Sequence, residues 1–152
     1  MHIYIDADAS PVQKDVIEIA KIYRLPVILV KSYAHFSHDV TDTHVETIYV
    51  DAAKEAADFE IVKRVKKDDL VITQDYGLAS LCLPKGCHVL HHKGFLYTEK
   101  NISSLLASRH ASAKARRAGY KTKGPRRYTE EERERFRSLL KKVIEHHFDK
   151  DL

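Results

Sequence analysis

Only two of the 152 residues are cysteines, Cys82 and Cys87, too few for a disulfide framework and expected as reduced thiols. Long apolar runs are missing as well. The stretch Pro26 to Val30 falls far short of the roughly 20 residues a membrane helix needs. Met1 leads straight into Ile3-Tyr4-Ile5, without the charged and apolar regions of an export signal. No internal repeat and no low-complexity segment occurs. These absences argue against secreted disulfide scaffolds, membrane spans and solenoids, and set the expectation of a soluble, cytoplasmic protein. What is there suffices for one sizeable core: 43% of the residues are hydrophobic, and the length is that of one domain. Residues 1–152 read as a single domain.

The net charge is only +4, but it is unevenly spread. Residues 1–108 carry 12 Lys and Arg against 15 Asp and Glu, residues 109–127 carry 8 basic residues and no acid, and residues 128–152 carry 6 against 7. An acidic body followed by a basic collar suggests separate sites for a cation and for phosphates.

Along the first 92 residues, short apolar runs alternate with helical patterns, the signature of a parallel sheet flanked by helices. Ile3–Ile5, Val27–Val30, Thr47–Val50, Leu70–Thr73 and His88–Leu90 are five candidate strands, apolar enough to be buried on both faces. A three-layer α/β/α sandwich with a mainly parallel sheet of about five strands is the expected fold. Ser10-Pro11-Val12-Gln13 reads as an N-cap, a first-turn proline and a capping-box Gln for a first helix that stops before Pro26. A second helix is expected from Ala52 to Lys66 with Asp51 as its cap, and a third near Tyr76. A further helical pattern carries Ile102, Leu105 and Leu106 until Gly119 and Gly124-Pro125 interrupt it. Over 129–148 a Thr129-x-x-Glu132 capping box opens an amphipathic helix whose stripe is Phe136, Leu139, Leu140, Val143, Ile144 and His147. That stripe must cover something apolar, either the sheet or the same helix of a second copy in a homodimer.

The acids fall where such a fold places ligands, beyond the carboxyl ends of the strands. Asp6 follows the first strand, Asp51 the third and Asp75 the fourth. Asp8 shares the side-chain parity of Asp6 at a spacing of about 7 Å if the chain stays extended. Asp58 shares a helix face with Ile61, Val62 and Val65, and an acid on a core-facing stripe is costly without a partner. Two carboxylates 4 Å apart repel by about 4 kcal/mol at an effective dielectric near 20. A group of Asp6, Asp8, Asp58 and Asp75 therefore calls for a cation, and hard oxygen ligands suit Mg²⁺ or Mn²⁺. Such an ion polarises a phosphoryl oxygen and acidifies an attacking water, which points to phosphodiester hydrolysis.

At these residues the sequence resembles the YaiI/YqxD family, small bacterial proteins related to PIN-like nuclease domains. The matching pieces are Asp6-Ala7-Asp8-Ala9 with Pro11-Val12, Ala57-Asp58 with Ile61-Val62, and Asp69 to Ala79 as DLVITQDYGLA. Gly94, Tyr97, Ile102, Arg109, Arg117, Gly119, Gly124-Pro125 and the Phe136–Leu140 helix extend the likeness over essentially the whole chain. The resemblance implies a PIN-like sandwich with an acidic pocket that binds Mg²⁺ or Mn²⁺ and cleaves RNA. By it Asp6 is the first-strand acid, Asp58 the mid-chain helical acid and Asp75 the fourth-strand acid with Thr73 beside it. Ser10 stands where many relatives have cysteine, which argues against an obligatory thiol nucleophile. A further acid common downstream in PIN nucleases has no clear counterpart, since Tyr76 and Gly77 follow Asp75.

The expected site is thus Asp6, Asp8, Asp58 and Asp75 around the metal, with Ser10, Thr73 and Asp51 lining the pocket. Arg109, Lys114, Arg116, Arg117, Lys121, Lys123, Arg126 and Arg127 would neutralise phosphates of RNA or another single strand, with Tyr120 or Tyr128 stacking on bases. His35 and His38 follow the second strand, as surface residues or at the pocket mouth. Cys82, Cys87, His88, His91 and His92 lack the two-knuckle spacing of a zinc site and are expected on the fifth strand and its flanks. Two other functions fit parts of the pattern. One is a nucleic-acid-binding module without catalysis. The other is a haloacid-dehalogenase-type phosphatase, whose Asp-x-Asp loop Ile3–Ser10 also resembles, with Asp6 as nucleophile and Asp8 as acid/base.

Overall fold

A computed structural model describes residues 1–8, 10–35, 42–52, 55–119 and 127–150. The strands are β1 (Ile3–Asp6), β2 (Val27–Ser32), β3 (Val45–Val50), β4 (Leu70–Ile72), β5 (His88–His91) and β6 (Phe95–Leu96). The helices are α1 (Gln13–Ile22), α2 (Ala56–Arg64), α3 (Tyr76–Cys82), α4 (Glu99–Arg117) and α5 (Glu130–Asp149). The strands form one sheet in the order β3-β2-β1-β4-β5-β6. All pairings are parallel except β5 with β6, so the five expected strands gain a short antiparallel edge.

Alternation along each inner strand sorts the side chains between two cores. Ile3, Ile5, Val27, Leu29, Leu70, Ile72 and Leu90 face α1 and α5, together with Val16, Ile19, Phe136, Leu140 and Ile144. Tyr4, Ile28, Val30, Val71 and Val89 face the other way, against Ile61, Val65, Leu78, Cys82, Tyr97 and Ile102 from the remaining helices and the β6 end. The result is the three-layer α/β/α sandwich expected from the sequence. The stripe of α5 covers the sheet face of its own chain. Asp15, only 3% exposed, ties α5 to α1 through Arg137 at 2.7 Å and Arg133 at 3.0 Å. Gly94, in the β5–β6 turn at φ +93, sits so close to α5 that a Cβ would lie 2.8 Å from the Phe136 nitrogen.

Three local expectations are corrected. Ser10 does not cap α1: Val12 holds the N-cap position without a side-chain hydrogen bond, because burial of Val12 in the core sets where the helix begins. Asp51 does not cap α2, which starts at Ala56 after Glu55 turns the chain through a left-handed φ of +74. That turn separates Asp51 from the helix and leaves it at the exit of β3. The strand β3 itself starts two residues earlier than the apolar pattern indicated, since an edge strand needs fewer apolar contacts. A capping box also opens α4, Thr98 with Asn101; the asparagine departs from the Glu or Gln of the usual pattern, so the sequence does not show it as it shows that of α5.

Candidate functional site

The chain leaves β1 toward β2 on one side, while β4 pairs with β1 on the other. The carboxyl ends of β1 and β4 therefore flank the topological switch point, where the loops diverge and open a crevice. Asp6 ends β1 and Asp75 follows β4 at the N-cap of α3. The first turn of α2 brings Asp58, because this helix crosses the sheet between β3 and β4. A hollow of ≈ 980 Å³ opens there, and Asp6, Asp8, Asp51, Glu55, Asp58 and Asp75 all line it. Arg109 and His35 are on its wall.

Each acid is held by specific groups. Thr73, buried, donates its hydroxyl to Asp6 Oδ2 at 3.0 Å and accepts the Asp75 N–H at 2.9 Å, so one side chain links both strand exits. Asp8 accepts the Ser32 N–H at 2.9 Å and lies 3.0 Å from His35 Nδ1. Asp75 accepts the N–H groups of Gly77 at 2.8 Å and Leu78 at 3.3 Å, and pairs with Arg109 at 3.3 Å. It is at once a helix cap and a member of the acid group, two roles the sequence presents as alternatives.

Protonation follows from this crowding. Burial, then the negative charge of Asp75 and a hydrogen bond to it, and then Asp6 and Glu55, push Asp58 up to about 7. Burial also raises Asp6, partly offset by the Thr73 hydrogen bond and reinforced by Asp75 and Asp8. Burial pushes Asp75 up too, but the hydrogen bond from Asp58, the two helix N–H groups and Arg109 outweigh it and hold its carboxyl low. The two shifts run in opposite directions, so Asp58 is the acid of this pair that keeps a proton longer and Asp75 the one that stays ionised.

Of the remaining expected residues, Thr73 stands behind Asp6 and Asp51 lines the hollow, but Ser10 does not. Ser10 lines a separate depression with Tyr128 and Arg133, and its buried Oγ has no hydrogen-bond partner among the described residues. Arg109, Lys114, Arg116 and Arg117 lie on α4, and only Arg109 reaches the hollow. Arg127 is exposed just before α5, whereas His38, Tyr120, Lys121, Lys123 and Arg126 lie outside the described residues. Tyr128 donates its hydroxyl to the His92 carbonyl at 2.6 Å, which ties it to the β5–β6 turn.

Sequence reasoning missed Glu55 and an aromatic group beside the hollow. Phe59 is 73% exposed and Tyr33 61% exposed. Tyr33 stacks on Tyr49, and all three line a depression that shares Val50, Asp51, Glu55 and Phe59 with the acid hollow. Phe59 among Glu55, Glu60 and Lys63, off the face of Asp58, Ile61, Val62 and Val65, was the available signal. The Cys82, Cys87, His88, His91 and His92 set does not converge: both thiols are buried in the second core, while His91 stacks on Phe95 and lies tilted against His92, which meets Tyr128 edge-on.

The comparisons agree with the sequence likeness. The profile described as "Uncharacterized BCR, YaiI/YqxD family" matches residues 4–146. A UPF0178 protein of Bacillus mycoides is 53% identical over 144 residues, covering 95% of this chain and 99% of its own. A second, from Bacillus cereus strain G9842, is 52% identical over 146 residues, covering 96% and 100%. Bacillus anthracis has UPF0178 proteins 52% identical over 144 residues, covering 95% and 99%. No solved structure matches the chain. With nearly its full length matched by the profile and by these relatives, the chain belongs to the YaiI/YqxD family.

Proposed function

We propose that the chain is a divalent-metal-dependent phosphodiesterase that cleaves RNA or single-stranded nucleic acid. One observation carries this reading: carboxylates at the exits of β1 and β4 and on the first turn of α2 line a single open hollow, where burial and then the charges of Asp75 and Asp6 lift Asp58 to about 7. Hard oxygen donors without imidazole or thiolate at the centre suit Mg²⁺ or Mn²⁺. No three of these acids bring donor atoms within 4.8 Å of one another, so an ion held there would reach some of them through water. Bound there, such an ion would polarise a phosphoryl oxygen and acidify a water.

The chain's own residues supply the rest. Thr73 orients Asp6, and Ser32 with His35 orients Asp8. Arg109 gives the hollow a positive wall against which a phosphate can lie. Lys114, Arg116 and Arg117 follow Arg109 on the same helix, within about 12 Å of rise, and would add positive charge for further phosphates of a bound strand. Phe59 and Tyr33 offer faces for unpaired bases, which favours a single strand over a duplex.

Asp58 against Asp75 gives the helical acid a duty that a dehalogenase-type phosphatase would leave without one. The non-catalytic binding module draws support from the Arg109 ion pair, which already engages Asp75. RNA incubated with purified protein and Mn²⁺ separates the two. Cleavage that chelator stops and that Asp6→Asn and Asp75→Asn abolish is the expected result. Intact RNA across Mg²⁺ and Mn²⁺, bound with a log–log salt slope of about −3.5 for some five phosphates, establishes the binding module instead.

A further inference from the structure

At the opposite end of the sheet, where the parallel strands begin, three side chains from distant parts of the chain come together. Asp68 precedes β4, His88 opens β5 and His147 lies in the last turn of α5. Their carboxylate and imidazole donor atoms all lie within 4.8 Å of one another, and no other group of three or more such residues among those described is as tight. The geometry points to a cation site formed by Asp68, His88 and His147 that takes Zn²⁺ and fastens the C-terminal helix to the sheet.

The backbone brings these groups together. The Asp68 N–H donates to the Gly86 carbonyl at 3.0 Å, and the His88 N–H donates to the Asp69 carbonyl at 2.9 Å, so the two side chains start from adjoining rungs. The neighbouring acid is committed elsewhere: Asp69 accepts the N–H groups of His2 at 2.9 Å and Lys66 at 2.8 Å. Asp68, at a left-handed φ of +69, instead lies 3.7 Å from His88 Nε2. On α5, His147 continues the stripe of Phe136, Leu140 and Ile144 that faces the sheet, which leaves an imidazole where the apolar contact ends.

Two imidazoles and one carboxylate form a donor set for a borderline ion such as Zn²⁺ rather than for Mg²⁺ or Ca²⁺. Ligand atoms about 2.0–2.1 Å from a tetrahedral Zn²⁺ are roughly 3.4 Å apart, so the Asp68–His88 pair needs to close by only a few tenths of an ångström. The carbonyl end of α5 also favours positive charge. All three side chains are part-exposed, which leaves a fourth position to water. The role is structural, because the site lies at the other end of the strands from the acid hollow.

The test uses the untagged full-length chain, stripped with chelator and titrated with Zn²⁺ against a chromophoric chelator. One Zn²⁺ per chain is expected, with affinity reduced at least tenfold by His88→Gln, His147→Gln and Asp68→Asn. It is expected to be unchanged by His146→Gln and by the double substitution Asp6→Asn with Asp58→Asn. Co²⁺ in place of Zn²⁺ should give two paramagnetically shifted imidazole N–H signals, and one in either histidine variant. Asp68→Asn, at a half-exposed turn, keeps the test decisive if a histidine variant loses its fold. Equal affinity in wild type, His147→Gln and Asp68→Asn overturns the assignment, as does loss of tight Zn²⁺ binding in the acid-hollow double variant.

Discussion

Replacing Asp58 with asparagine removes one negative charge from the hollow while keeping a side chain that can still donate to Asp75. The carboxyl is displaced upward from its ordinary 3.8 to about 7, which corresponds to ~4 kcal/mol at 1.36 kcal/mol per pH unit. Asp58 is only half-buried and faces solvent across the hollow, so screening reduces this to about 1–2 kcal/mol. The sign follows from which state holds the proton. Below about 4, folded and unfolded chains are both protonated at this residue and its full contribution to stability is present. Between about 4 and 7 the folded chain keeps a proton the unfolded chain has lost, and stability falls as pH rises. Above about 7 the contribution is gone. Asp58→Asn should therefore be more stable than wild type at pH 8 by about 1–2 kcal/mol, with a melting temperature higher by about 2–8 °C. The difference should vanish near pH 4. Mn²⁺ should raise the melting temperature of wild type at pH 8 and raise that of the variant less. Thermal unfolding at pH 4, 6 and 8, with and without Mn²⁺, gives the answer. A variant less stable than wild type at pH 8, or one with the same pH dependence, would show that burial and the charges of Asp75 and Asp6 do not raise Asp58.

Three further outcomes concern the scaffold. Asp15→Asn weakens the charged contacts that join α5 to α1, and because Arg133 and Arg137 can turn toward solvent the loss should be about 2–3 kcal/mol in urea unfolding; no loss would mean the apolar stripe alone docks the helix. In Gly94→Ala the new Cβ would meet the backbone of Arg135 and Phe136 at under 3 Å from a position already at φ +93, so destabilisation by about 1–3 kcal/mol or more is expected, measurable by denaturant midpoint. Burial pushes the Cys82 and Cys87 thiols up to about 12 and about 11, so neither should react with iodoacetamide at pH 8 until the chain unfolds.

Much of this was legible because it depends on short-range pattern. Alternation in Ile3-Tyr4-Ile5 and Val27-Ile28-Leu29-Val30 places side chains on two faces whatever the strands pair with, and three layers follow from both faces being apolar. Asp6 and Asp75 were visible as strand-exit residues, and Asp58 as a charge on an apolar helix face, since each is defined by its own neighbours in sequence. The start of α1 was not, because burial of Val12 outweighs the capping signal of Ser10. Nor was that of α2, because the left-handed Glu55 divides a pattern that reads as continuous. The short β6 has too few residues to show a period at all.

By itself, then, the order of residues determined the alternation, the α5 capping box, the acids at the strand exits and the basic collar, all properties of a few adjacent positions. Tertiary structure alone decided that β4 lies beside β1 rather than beyond β3, and that pairing brings Thr73 between Asp6 and Asp75 and sets Asp58 against them. It likewise joined Asp68, His88 and His147 at the far end of the same strands. The physical reason is that charge repulsion and donor geometry depend on distances of a few ångströms between residues far apart in the chain, and only the packed sheet sets those distances.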